Sequence, residues 1–139
     1  MMYLRSLANA FPERGLTQAE SLSLLRDSGI LGNIRPRSRQ ILEKVLGGES
    51  GITTRRLAAP DPAALLRAGA GDLHTVFETE APRLAAEALA KACERARIRP
   101  VDLDALLICT CTGYLCPGLT SYVSERLGMK PEALSLIHI

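Results

Sequence analysis

The chain carries almost no excess charge of either sign. Its 17 Lys and Arg against 15 Asp and Glu leave +2 at pH 7, too little to argue for a nucleic-acid surface. It has no apolar run of about 18 residues or more, which excludes an ordinary membrane-spanning helix. Met1-Met2-Tyr3-Leu4-Arg5 is not followed by the longer apolar core of a secretory signal. With no such signal, the four cysteines are expected to be free thiols in a reducing cytoplasm. No internal repeat and no low-complexity tract occurs, so a stacked-repeat architecture is excluded. What remains is an ordinary globular mixture, 47% hydrophobic and 23% charged. The 139 residues are enough for one domain with a sizeable core.

Residues Cys109 to Gly118, C-T-C-T-G-Y-L-C-P-G, carry the most information. They follow Ala105-Leu106-Leu107-Ile108-Cys109, a short apolar run with the length of a buried strand. They precede Leu119, Tyr122, Val123 and Leu127 at helical spacing, with Gly128 as the stop. Pro117 suits the first turn of that helix over 118–127, where its missing N–H is not needed. Ligands of α/β folds bind just outside the carboxyl ends of strands. Small hydroxyl and thiol side chains gathered there read as an active-site wall.

The rest of the chain alternates in the same way. Residues 2–8 read as a first strand. Thr17 and Glu20 form a capping box that opens a helix over 17–27. A loop over 27–36 leads to a helix over 37–46, ended by Gly47 and Gly48. Ile52 to Leu57 reads as a short strand, and residues 59–71 hold a short apolar helix between prolines and glycines. Residues 73–97 read as a long helix with a capping box at Thr75 and Glu78, kinked or restarted at Pro82. Its inner stripe is Leu84/Ala85, Ala88/Leu89, Ala92 and Ala96. Arg99 to Asp102 turns into the strand at 105–109. This β-α-β order predicts an α/β layered fold.

Cys109, Cys111 and Cys116 form C-x-C-x4-C. Thiolates bind zinc, but a fourth ligand at ordinary spacing is absent. Alternate strand residues share a face, so Cys109 and Cys111 could act together only if the strand continued. No metal is expected. Cys93, near a helix end, reads as a small core residue, and Cys109 as buried in its strand.

The pattern C-T-x-[ST]-G-x-x-x-P-G, present as Cys109, Thr110, Thr112, Gly113, Pro117 and Gly118, resembles the type III polyketide synthases. This is the chalcone and stilbene synthase family of the thiolase superfamily. Ser50-Gly51-Ile52-Thr53-Thr54-Arg55 is similar to the family's S-G-I-x-x-R segment. Glu80-Ala81-Pro82-Arg83-Leu84 is similar to its E-x-P-x-L helix, and Ala8-Asn9-Ala10-Phe11-Pro12 to the loop after its first strand. The resemblance covers residues 1–133. It implies a thiolase-like layered αβαβα fold, present as an incomplete N-terminal half. It also implies an acyltransferase that condenses an acyl-CoA starter with malonyl-CoA units, works as a homodimer, and needs no cofactor beyond coenzyme A thioesters as substrates. Neither nucleic acid nor membrane is implied as a partner.

Residue by residue, the resemblance places Cys111 and Thr112 on the active-site wall, where plant members usually carry Thr-Ser. It places Cys116 where the family reaches across the dimer into the neighbour's cavity, commonly with methionine in plants. These departures look bacterial. Gly113, Pro117 and Gly118 form the strand-to-helix turn. Arg39, Lys44 and Arg55 are candidates to grip coenzyme A phosphates, since such phosphates favour charge-assisted bonds to Arg and Lys. Arg37 and Arg56 are alternatives, and a plain solvated basic face is the competing reading.

The family's cysteine nucleophile sits in a G-x-G-C motif downstream, followed by a histidine and an asparagine. None of these occurs here, and His74 and His138 match neither catalytic position, so no catalytic residue is expected within the chain. Leu134-Ser135-Leu136-Ile137-His138-Ile139 also matches one translated frame of a transposase sequencing adapter. Residues 134–139 are therefore expected to be a non-native tail, the alternative being a genuine strand. Outside this family, a ketoacyl synthase III-like condensing enzyme and a non-catalytic dimerising or binding module are the competing readings.

Overall fold

The computed structural model describes residues 1–48, 51–59 and 61–138. Ser50 of the S-G-I-x-x-R segment, Pro60 and Ile139 lie outside the described residues. The chain divides into two compact units, Pro12–Leu73 and Met1–Phe11 with His74–Ile139.

In the first unit, β1 (Gly15–Thr17) leads directly into α1 (Gln18–Asp27). The expected capping box is formed: the Glu20 amide donates to the Thr17 hydroxyl, and the Thr17 amide donates to the Glu20 carboxylate at 2.7 Å. Gly29, at φ 74°, bends the chain into a single 3-10 turn over Ile30–Gly32, a conformation glycine adopts without strain. Pro36 then opens α2 (Pro36–Gly47). The strand expected over 52–57 shortens to β2 (Thr54–Arg56), which pairs antiparallel with β1, Leu16 opposite Arg55. Asp61 caps α3 (Pro62–Leu65), accepting from the Ala63 amide.

In the second unit, α4 (Ala70–Ala96) is the longest element. Three expectations about it are corrected. It begins before Thr75, so Thr75 and Glu78 lie inside the helix and form no capping box; Asp72, accepting from the Gly69 amide, serves the helix start instead. It does not restart at Pro82, which lies buried inside the one helix. Burial repays the lost backbone bond that would otherwise end a helix at proline. Its most buried residues are Pro82, Ala86 and Cys93, none of them in the expected stripe, but Ala85 and Leu89 of that stripe pack against the same core.

β3 (Ala105–Cys109), α5 (Leu119–Leu127) and β4 (Leu134–His138) follow as a β-α-β unit. The two strands pair in parallel, Leu106 opposite Ser135 and Ile108 opposite Ile137. Residues 134–138 thus form a strand. Leu106, Ile108 and Ile137 face a core made by Ala86 of α4, Leu115, and Leu119 and Val123 of α5. Thr120, 2% exposed, takes a hydrogen bond from the Ser135 hydroxyl and ties α5 to β4. This is an α/β layered arrangement, with α4 and α5 packed on one face of the β3–β4 pair.

The strand expected over 2–8 does not form. Residues 1–11 carry no regular structure, because an extended segment becomes a strand only when a ladder partner lies beside it. Two bonds pin the segment to the end of α4: the Ser6 hydroxyl donates to the Ala92 carbonyl, and Arg95 to the Leu7 carbonyl. No helix among the described residues is long and apolar enough to cross a membrane.

Candidate active-site loop

The segment between β3 and α5 lies at the carboxyl end of a parallel strand, where sequence reasoning placed it. Its conformation is set from both ends. At the start, the Thr112 amide points to the Thr110 hydroxyl, 3.4 Å away. At the end, the Cys116–Pro117 bond is cis, and Gly118 serves as the N-cap of α5. Pro117 therefore precedes the helix instead of opening its first turn. The Pro117 placement is corrected, and the turn itself stands.

Two residues anchor the middle. Leu115 is 4% exposed and belongs to the core. Gly113 lies against the ring of Phe77 from α4. A Cβ at Gly113 would come within 2.6 Å of Phe77 Cδ1 and 2.8 Å of its Cε1 and Cγ, closer than real contacts permit. Gly113 is thus required by close approach rather than by an unusual φ. The intervening side chains, Cys111, Thr112, Tyr114 and Cys116, are exposed. The loop exposes two thiols and two hydroxyls and grips the core through Gly113 and Leu115.

Cys109 is a correction. It is exposed, not buried. β3 alternates, with Leu106 and Ile108 toward the helices and Ala105, Leu107 and Cys109 away from them. The unbroken apolar run concealed this alternation, since only one face of the sheet is covered among the described residues. The strand ends at Cys109, so Cys109 and Cys111 are not carried on a common strand face. Among the described residues, no group of three or more His, Cys, Asp or Glu is placed to hold a metal. Cys93 is a core residue as expected, 3% exposed, and burial pushes its thiol up from the ordinary range.

The basic candidates lie on the other unit. Arg39 is exposed and paired with Glu43 at 3.1 Å. Lys44 is exposed on α2, and a five-residue spacing places it on a different side of that helix from Arg39. Arg37 and Lys44, seven apart, share a side. Arg55 is half-buried, and its guanidinium donates to the Gln18 side chain at 2.9 Å. Arg56 donates to the Glu13 carbonyl. The structure therefore gathers Cys111, Thr112, Gly113, Cys116, Pro117 and Gly118 in one loop, while Arg39 and Lys44 stand on different sides of α2 and Arg55 on β2. A cleft of about 410 Å³ on that unit is lined by Arg14, Glu20, Asp27 and Asp61, but Glu20 and Asp61 are engaged in helix caps. Sequence reasoning missed Phe77 and Leu115. Leu115 sits at an irregular position and Phe77 is one apolar residue among many on α4, so no local pattern marks either.

No family model matches the chain. It is similar to 1,3,6,8-tetrahydroxynaphthalene synthase of Streptomyces griseus, 27% identical over 129 residues, 93% of this chain and 33% of that protein. Phloroglucinol synthase of Pseudomonas fluorescens is 25% identical over 126 residues, 91% of this chain and 35% of that protein. The crystal structure of 1,3,6,8-tetrahydroxynaphthalene synthase from Streptomyces coelicolor, a bacterial type III polyketide synthase, superposes with a TM-score of 0.74 at 21% identity. It covers 95% of this chain and 37% of that one. The chain spans about a third of the length of the curated relatives it matches.

Proposed function

We propose that this chain, whose sequence and fold match the bacterial type III polyketide synthases, supplies the front part of an acyltransferase that builds polyketides from coenzyme A thioesters. The observation that carries this reading is the thiol- and hydroxyl-bearing loop 110–118 at the carboxyl end of β3, in a chain similar over nearly its whole length to such synthases.

In this reading a cysteine thiolate from outside the 139 residues takes the acyl group from its coenzyme A thioester. Malonyl-CoA is decarboxylated in the same cavity, and the resulting enolate attacks the acyl thioester. Oriented donors stabilise the oxyanion that develops, the usual source of most of the rate. Cys111 and Thr112 form part of the wall beside that thiolate. Cys116, exposed on the same loop, reaches the cavity of a second subunit. The reaction uses no cofactor other than its coenzyme A thioesters. Arg37 and Lys44, which share a side of α2, and Arg55 are the cations available to the phosphates; Arg39 is less suited because Glu43 holds it.

Residues 1–133 are taken as the synthase-like part and 134–139 as adapter-derived, although a strand forms over 134–138. One experiment addresses both points. The genomic DNA after codon 133 is read, and the protein it encodes is assayed with radiolabelled malonyl-CoA. A continuing frame with G-x-G-C within a few tens of codons, and labelled polyketide from its product, is the expected result. A stop at that point, or an encoded protein with no turnover above buffer, would sink the proposal. In the active enzyme Cys116→Phe changes the product pattern while sparing the first acyl transfer; an unchanged pattern removes Cys116 from the partner's cavity.

A further inference from the structure

The ring of Phe77 underlies the candidate cavity wall, and we infer that Phe77 is a positioning residue that sets how far this wall stands into the cavity. The inference rests on the polyketide synthase reading of loop 110–118.

Phe77 projects from α4 and packs against the same core that receives Leu115, Leu119 and Val123. Its ring lies so close to Gly113 that a single added carbon there would overlap three ring atoms, at 2.6 to 2.8 Å. The contact joins an aromatic side chain to backbone, so the backbone height at 113 follows the thickness of the group beneath it. Cys111 and Thr112 immediately precede this point of support and are exposed. Leu115, buried in the core, anchors the far end of the turn. At Gly113 the support is a side chain lying directly against a glycine. A thinner group at 77 lets the loop settle toward α4 and the cavity deepen. A Cβ at 113 lifts the loop and makes the cavity shallower. Phe77 touches no reacting atom in this arrangement and acts through Gly113.

The test uses the enzyme that carries residues 1–133, with four variants: Phe77→Leu, Phe77→Ala, Gly113→Ala, and the double variant Phe77→Ala with Gly113→Ala. Products from one acyl-CoA starter and malonyl-CoA are separated by length. Phe77→Ala is expected to raise the ratio of longer to shorter products by about tenfold, within the range that cavity-shape changes produce. Phe77→Leu shifts it the same way by less. Gly113→Ala shifts it toward shorter products, and the double variant returns it toward wild type. A purely structural role would lower yield in every variant without moving length in opposite directions or giving rescue. Should Gly113→Ala fail to fold, the Phe77→Leu and Phe77→Ala ratios decide. Ratios within about twofold of wild type in both Phe77 variants overturn the inference. A wild-type enzyme that makes no polyketide overturns the functional reading instead, and the two failures are told apart by that control.

Discussion

Arg97 ends α4 in the left-handed conformation, at φ 57°. The Ile98 amide donates to the Cys93 carbonyl and the Arg97 amide to the Glu94 carbonyl, both at 3.0 Å. This is the paired closure of a Schellman motif, which normally places glycine at the left-handed position. A side chain there costs about 1 kcal/mol through crowding of its Cβ. The site sits at the foot of the helix that carries Phe77; that helix accepts a hydrogen bond from Ser6 and donates one to Leu7. Arg97→Gly is therefore expected to stabilise the fold by about 1 kcal/mol, less what the freer unfolded chain takes back. Urea unfolding of the larger enzyme that carries this segment measures it, and a lower midpoint at equal slope would refute it. The two glycines in the candidate loop differ from this position. At Gly118 the one tight contact is the flexible tip of Ile137, whereas at Gly113 three atoms of the Phe77 ring lie within 2.8 Å of where a Cβ would sit.

Among the elements, those announced by local chemistry were legible in sequence. α1 was readable because Thr17 and Glu20 form a reciprocal cap whatever the rest of the chain does. β3 and α5 were readable from their apolar pattern, and the turn between them from its glycines and proline. Elements that depend on distant partners were not. Residues 2–8 have strand composition but no neighbouring strand, and the first turns of α4 have no sequence signal stronger than Asp72. Phe77 under Gly113 is likewise a contact between positions far apart in sequence, which no periodicity encodes. The α1 cap also makes a pH prediction. Bonds from the Thr17 amide and hydroxyl hold the Glu20 carboxyl below its ordinary range. A carboxyl lowered in the folded state adds stability above the ordinary carboxylate range, and this is lost as pH falls through the folded value. Thr17→Ala should thus lower stability at neutral pH and make the loss on acidification shallower. Melting curves over a pH series check this, and parallel acid branches for the two proteins would contradict it.

At the scale of the whole molecule, the uncovered surface is apolar where it is most consequential. Leu107, Leu134 and Leu136 are 62%, 56% and 45% exposed on the uncovered face of the β3–β4 pair. Met2, Tyr3, Leu4 and Leu7 are exposed on a segment without a ladder partner. A two-stranded sheet with one bare apolar face is a template for association. In the proposed synthase Leu107 of β3 and the segment 1–11 would meet the remainder of the protein and a second subunit. The 139 residues expressed alone are therefore expected to aggregate, or to stay in solution only as an oligomer or a loosely packed species without cooperative unfolding. Size-exclusion chromatography followed by urea unfolding decides the matter. A sharp monomer peak with a single steep transition would show that the exposed faces need no cover, and would favour an independent binding module over a part of a larger enzyme.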